Sequence, residues 1–211
     1  MSTTTNTAIN IRYSNLAEES CCLSCGGALN HAKAAEGEIC GDLGSGRGLD
    51  VIRLAQTVGS EGYAYGVDIS EGMIQKARRN IEKFDIKNAS IIQSHLEKLP
   101  FKTEELDLLI SNCTINHADD KRAVWKEIHR SLKTGGRFVV SDIYSLEPVP
   151  EEYRTDPEAI AECWAGSVTR EEYLEQLSAA GFDNLDVIEE SSPYEKGKIQ
   201  CVSWTIRAYK S

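Results

Sequence analysis

Apolar positions along the chain fall into two spacings. Short, nearly continuous apolar runs bounded by glycine or charged residues read as buried strands: GEICGDLG (37–44), GYAYGVDI (62–69), NASIIQ and ELDLLIS. Between them lie segments whose apolar residues recur three and four apart. LDVIRLAQTV follows the first run, SEGMIQKARRNIEKF the second and DDKRAVWKEIHRSL the fourth, and each reads as a helix with one face on the sheet. Ser70 is the expected N-cap of the second helix. The third ends before Gly135-Gly136 with Lys133 in its last turn. GRFVVSDI is a fifth strand. Strand and helix in regular alternation predict a parallel α/β sheet. The end of the chain departs from this pattern. After the helix EEYLEQLSAAG come NLDVIEES and IQCVSWTIRAYK, joined by a short loop with Pro and Gly. Strands so joined pair antiparallel, because a parallel pair needs a longer crossover. The expected architecture is a parallel sheet finished by an antiparallel strand, with ligands bound at the carboxyl ends of the strands. Residues 1–36 are expected to form an N-terminal tail and cysteine-rich segment, and 37–211 the sheet domain.

With 211 residues, 41% apolar and 27% charged, the chain has the makeup of one soluble domain with a sizeable core. No apolar run approaches a membrane span. The opening MSTTTNTAIN is polar and is expected to be a disordered tail without a secretion signal. A net charge of −10 argues against nucleic acid and anionic membranes as partners. Seven cysteines, at 21, 22, 25, 40, 113, 163 and 201, read as thiols in a reducing cytoplasm rather than as a disulfide framework.

The chemistry gathers at two places. DLGSGRG (42–48) ends the first strand, and Gly44, Gly46 and Gly48 let the backbone turn tightly against a ligand. The other reading of such a loop is a plain strand-to-helix turn. The spacing is G-x-G-x-G, not the dinucleotide G-x-G-x-x-G. Asp68 ends the second strand, where a carboxylate can accept hydrogen bonds from two ribose hydroxyls. The second place is ISNCTINH (110–117), where Cys113 leaves a strand at its carboxyl end.

From about residue 37 onward the sequence resembles the class I S-adenosylmethionine-dependent methyltransferases: DLGSGRG looks like their first motif and YGVDIS their second. The resemblance implies a Rossmann-like, mostly parallel seven-stranded sheet with an antiparallel last strand and helices on both faces. It implies S-adenosylmethionine as cofactor, held by Asp42, Gly44, Ser45, Gly46, Gly48, Asp68, Ile69 and Asn112. The adenine lies beside residues after the third strand in that family, here His95 and Leu96. His95 reads equally as a solvated loop residue.

A finer resemblance is to the arsenite methyltransferase branch. It rests on ISNCTINH, KEIHRSLKTGGRFVVSDI, DPEAIAECWAGSVTREEYLEQLSAAGF and the N-terminal CCLSCGGALN. It implies Cys113 and Cys163 as ligands of arsenite, with a third thiolate from Cys25, or alternatively Cys21 or Cys22, on a lid over the cofactor. Thiolates suit a soft ion, and arsenic held by them attacks a sulfonium methyl through its own lone pair, so positioning does most of the catalysis. Glutathione or thioredoxin would be the thiol partners. Alone, Cys113 reads better as a small buried hydrophobe; the other cysteines at matching positions favour the ligand reading. Cys40 and Cys201 read as core. Cys22 and Cys25 have zinc spacing but no second pair follows. His117 departs from the branch and is either a base or a polar loop residue. Asp142 either lines the substrate pocket or caps a turn. Many members of the branch continue past the last strand into a cysteine-bearing segment, which leaves the number of methylations open here. The expected activity is methyl transfer to arsenite. The alternatives are transfer to another small acceptor, or a non-catalytic thiol protein that binds arsenite or zinc.

Overall fold

A computed structural model of the protein describes residues 3–19 and 26–211. Eight strands form one sheet: β1 (Ile39–Leu43), β2 (Tyr63–Asp68), β3 (Ala89–Gln93), β4 (Leu106–Asn112), β5 (Leu132–Ser145), β6 (Leu185–Glu190), β7 (Tyr194–Lys196) and β8 (Ile199–Tyr209). Their order is β3-β2-β1-β4-β5-β8-β6, with the short β7 paired to β8 beyond this path. The first five run parallel; β8 is antiparallel to both β5 and β6. Seven strands thus make the expected sheet, and β7 is an eighth that the pattern does not signal.

Helices cover both faces. Three pack on one side, α2 (Ala28–Ala32), α3 (Leu49–Val58) and α4 (Glu71–Lys83); α5 (Lys121–Ser131) and α8 (Arg170–Ala179) pack on the other. Strands between two such layers are apolar on both faces, which is why LDLLI reads as a continuous run. Neighbours along β5 go to opposite cores, Phe138 and Val140 to one and Val139 to the other. Two short helices, α6 (Glu151–Arg154) and α7 (Pro157–Ala161), lead to Trp164, which packs with Ile143, Ile160 and Cys201 in a third cluster. Gly197, at φ +62, turns the β7–β8 hairpin so closely over that indole that a Cβ would lie 2.3 Å from it.

One local expectation is corrected. The N-terminal stretch is not a disordered tail but a helix, α1 (Thr3–Leu16). Its sequence has little apolar periodicity, and Ile9 is its one apolar side chain that is fully buried. Polar contacts to the domain hold it instead. Asn10 Oδ1 accepts from the Glu71 amide (3.0 Å) and Ser14 Oγ from the Gly72 amide (3.1 Å). These are first-turn amides of α4, which have no partner inside that helix. Ser70 does occupy the N-cap of α4, but its side chain makes no capping bond; it meets Ser14 Oγ at 3.2 Å. The cap comes from α1. At the other end of α1, Arg47 donates to the Leu16 and Ala17 carbonyls, and Glu18 pairs with Lys76 and Arg79.

Candidate active site

The carboxyl ends of β1, β2 and β4 open into a cavity of about 280 Å³. Gly44 and Gly46, at φ +70 and +51, wrap the first loop along one wall. A Cβ on Gly44 would lie 2.1 Å from Thr114 Oγ1, so this position admits glycine alone. Ser45 also lines the cavity, and its buried hydroxyl has no hydrogen-bond partner. Gly48 does not line it. That glycine packs against Ala77, which a Cβ would approach to 2.9 Å, so its part is to seat α3 on α4.

Asp68 sits at the end of β2 and faces the cavity. Its Oδ2 accepts from the Gly46 amide and its Oδ1 from the Ser70 amide, both at 2.8 Å. The carboxylate therefore organises the glycine loop as well as offering its remaining lone pairs to a ligand. Burial raises its pKa against the opposing pull of these amides. Asp42, almost fully buried, is pushed well above the carboxylate range by burial, then by Asp50 and Asp68. Ile69, His95 and Leu96 complete the wall; Leu96 is buried and His95 exposed. Asn112 closes the floor, donating to Asp50 Oδ2 (3.3 Å) and accepting from the Ala28 amide (3.1 Å).

Cys113 follows β4 and lines the same cavity. Its amide donates to the Ser141 carbonyl at 2.8 Å, extending the β4–β5 pairing by one residue. Cys163 follows α7 and is buried behind it. The Cys163 thiol donates to the Cys113 carbonyl at 3.2 Å and lies 4.0 Å from Asp142 Oδ1. Both cysteines have left-handed backbones, φ +52 and +75. That conformation costs a side-chain-bearing residue about 1–2 kcal/mol and concentrates at functional sites. Burial, then Asp142 and Cys113, raise the Cys163 thiol well above its ordinary pKa.

Asp142 does not line the cavity. It is buried in β5, accepts from Asn116 Nδ2 (2.9 Å) and the Ile143 amide (2.8 Å), and is pushed to a pKa of about 6 by burial. His117 is neither exposed nor in an open loop. It lies in a 3₁₀ turn, Ile115–His117, 7% exposed, and faces the cavity. Burial, then Lys121, lower its pKa to about 4, so the ring is neutral. Tyr13 Oη is 3.3 Å from its Nε2.

Cys40 and Cys201 are fully buried in β1 and β8. Cys21, Cys22 and Cys25 lie outside the described residues. Gly26, next in the chain, packs so closely that a Cβ would be 2.3 Å from Asn112 Oδ1. Among the described residues no group of three His, Cys, Asp or Glu is placed to hold a metal ion, and no described helix is long and apolar enough to cross a membrane. The sequence pattern does not reveal Ile9 and Tyr13 of α1, Met73 or Thr114, all of which line the cavity. A single aromatic in a polar stretch is the one available hint of Tyr13.

Comparison with known proteins bears on this geometry. A methyltransferase domain family model matches residues 36–181. An arsenite methyltransferase of Halobacterium salinarum is 37% identical over 165 residues, 78% of this chain and 42% of that protein. The human arsenite methyltransferase is 37% identical over 150 residues, 67% of this chain and 40% of that protein. The chain thus spans less than half the length of these curated relatives. The crystal structure of an arsenic(III) S-adenosylmethionine methyltransferase from Chlamydomonas reinhardtii superposes with a TM-score of 0.75 at 25% identity, covering 98% of this chain and 73% of that one. With a family match over well over half its length, and the strand order and glycine-loop cavity described above, the chain belongs to the class I S-adenosylmethionine-dependent methyltransferases.

Proposed function

We propose that this chain transfers a methyl group from S-adenosylmethionine to trivalent arsenic held by its thiolates. The observation that carries the reading is the Cys163 thiol on the Cys113 carbonyl, 3.2 Å away, beside a cavity formed by the glycine loop and Asp68. This contact brings together two cysteine-bearing segments 50 residues apart, next to the cavity that would hold the donor, and thiolates suit a soft acceptor.

The cavity residues fit the donor. The Gly44 wall leaves no room for a Cβ, the Ser45 hydroxyl is unpartnered, and Asp68 keeps lone pairs for ribose hydroxyls. Asp42, Ile69, Leu96, His95 and Asn112 would line the rest. S-adenosylmethionine supplies an electrophilic methyl on a sulfonium. The protein's own residues hold the acceptor in line with it. Cys163 starts as a protonated thiol, which suits exchange with arsenite: sulfur bonds to arsenic, and the thiol proton leaves with an arsenic hydroxide as water. Arsenic so held carries a lone pair and no proton, so no general base is required, and alignment supplies the rate. Cys25 is the best third ligand, since its neighbour Gly26 packs on Asn112, one residue before Cys113. Glutathione or thioredoxin would renew the thiols, in a reducing cytoplasm. The net charge of −10 argues against a nucleic-acid partner.

One observation favours a second reading. His117 is neutral, buried and on the cavity, as a base for an oxygen or nitrogen acceptor would be. Incubation with labelled S-adenosylmethionine, thiol and arsenite, followed by product identification by mass, separates the two. Methylated arsenic is expected. Cys113→Ser and Cys163→Ser should each cut that product at least about 100-fold, the loss that about 2.7 kcal/mol of lost transition-state stabilisation produces, with donor affinity unchanged. Normal arsenite turnover in the double serine variant would return both cysteines to the core and leave the His117 reading.

A further inference from the structure

We propose that Tyr13 and His117 form a latch that fastens α1 across the mouth of the cavity, making Tyr13 a positioning residue for the bound donor. The inference rests on the reading of that cavity as the S-adenosylmethionine site.

Helix α1 presents three stripes. Ile9 and Tyr13, one turn apart, share the face that roofs the cavity. Asn10 and Ser14, the next stripe round, cap α4. Arg12 reaches Glu162 beyond α7. Only the first stripe touches the cavity, and Tyr13 is its one polar member. Its hydroxyl meets His117 Nε2 at 3.3 Å across 104 residues of chain, and the two rings meet edge to face at 5.5 Å and 70°. His117 lies four residues beyond Cys113, in the 3₁₀ turn that packs against α7, whose last residue is two before Cys163. One side chain of α1 is thereby tied to both segments that carry the paired cysteines.

The hydroxyl of Tyr13 and the ring nitrogen of His117 can each donate or accept, and the imidazole tautomer sets which does. Burial keeps the imidazole neutral and raises the Tyr13 pKa, so neither partner ionises near neutral pH. Because α1 buries so little apolar surface, it depends on such polar fastenings, and the loss of one shifts the balance between closed and open roof. A donor enclosed under the roof would leave only when it opens.

The test compares wild type with Tyr13→Phe, His117→Phe and the double variant. Phenylalanine keeps an aromatic ring at each position and removes only the hydrogen bond. Hydrogen exchange of residues 3–16 is followed in donor-free protein, and release of S-adenosylmethionine is followed by stopped flow. Each single variant should speed both processes about 3- to 10-fold, the effect of one hydrogen bond, while the thermal midpoint of the sheet domain holds. The double variant should be no faster than the faster single one. Wild-type rates in Tyr13→Phe, or effects that multiply in the double variant, overturn the latch. If α1 loosens as expected but wild type never binds the donor, the latch stands, whereas the reading of the cavity and the positioning role fail.

Discussion

His117 and Asp142 are buried beside the same pair of cysteines, 7% and 2% exposed, and burial moves them in opposite directions. His117 falls from 6.5 to about 4 and Asp142 rises from 3.8 to about 6. Between pH 6.5 and about 4 the unfolded chain protonates its histidine while the native ring stays neutral. The stability contributed by His117 is therefore complete above its unfolded pKa and is lost as pH falls through this window. Between about pH 6 and 3.8 the native Asp142 holds a proton that the unfolded chain has released, so its contribution grows as pH falls and is lost as pH rises through about 6. A tenfold difference in proton affinity between the folded and unfolded chain is worth about 1.4 kcal/mol. Moving from about pH 7.5 to about pH 4.5 therefore removes about 2–3 kcal/mol through the histidine and returns about 2 through the aspartate. The two nearly offset in the wild type. His117→Gln removes one arm, so over the same interval it should gain about 2–3 kcal/mol relative to wild type. Asp142→Asn should lose about 2 relative to wild type. Urea unfolding at each pH measures the differences, and carboxylates common to all three proteins cancel. Parallel profiles for wild type and His117→Gln would refute burial of a neutral imidazole.

Three further outcomes follow from the site. Gly44→Ala should destabilise the fold by about 2–4 kcal/mol, combining the left-handed backbone with the overlap on Thr114, and should abolish donor binding by calorimetry; adding Thr114→Gly should restore part of the stability. Asp68→Ala should weaken S-adenosylmethionine by about 1.5–3 kcal/mol, and NAD should not compete; tight NAD binding would contradict the cavity assignment. Ser14→Ala should cost about 1 kcal/mol through the lost cap on α4, and an unchanged thermal midpoint would show that α1 does not cap that helix.

The sheet is readable wherever a local pattern and the final burial coincide. LDLLI, ICGDL and FVV lie between two helix layers, and their continuous apolar character reports this directly. The length of their connection assigns the last two long strands to each other, and they pair as β6 with β8. That β8 also enters beside β5, with nine paired positions from Arg137 to Ser145, depends on contacts some 60 residues apart that no local signal encodes. Helix α1 escapes the pattern for a related reason. TTTNTAINIRYSNL has no apolar stripe, and what holds it as a helix lies in α4 and the glycine loop. Ser70 shows the same limit from the other side. Its residue type and position mark the helix start correctly, yet the capping oxygens belong to Asn10 and Ser14.

The site divides along similar lines. Glycine spacing and the acid at the end of β2 are local signals, and Gly44, Gly46 and Asp68 line one cavity. Spacing alone does not bring Cys113 and Cys163 together, because their meeting depends on where the loop after α7 crosses the end of β4. The backbone there is informative. Two cysteines in left-handed conformations, with the thiol of one on the carbonyl of the other, are an expensive arrangement if both serve only to fill space. An apolar side chain in either place would carry the same backbone strain, and glycine alone would make the turn without it. Under the arsenite reading the strain has a use. It would help to hold two sulfurs for a common acceptor, and the chemistry of a soft acceptor would demand little more than that placement. His117 and Asp142 then need not act as bases, and their burial, which shifts the two pKa values in opposite directions, is a property of the frame around the thiols.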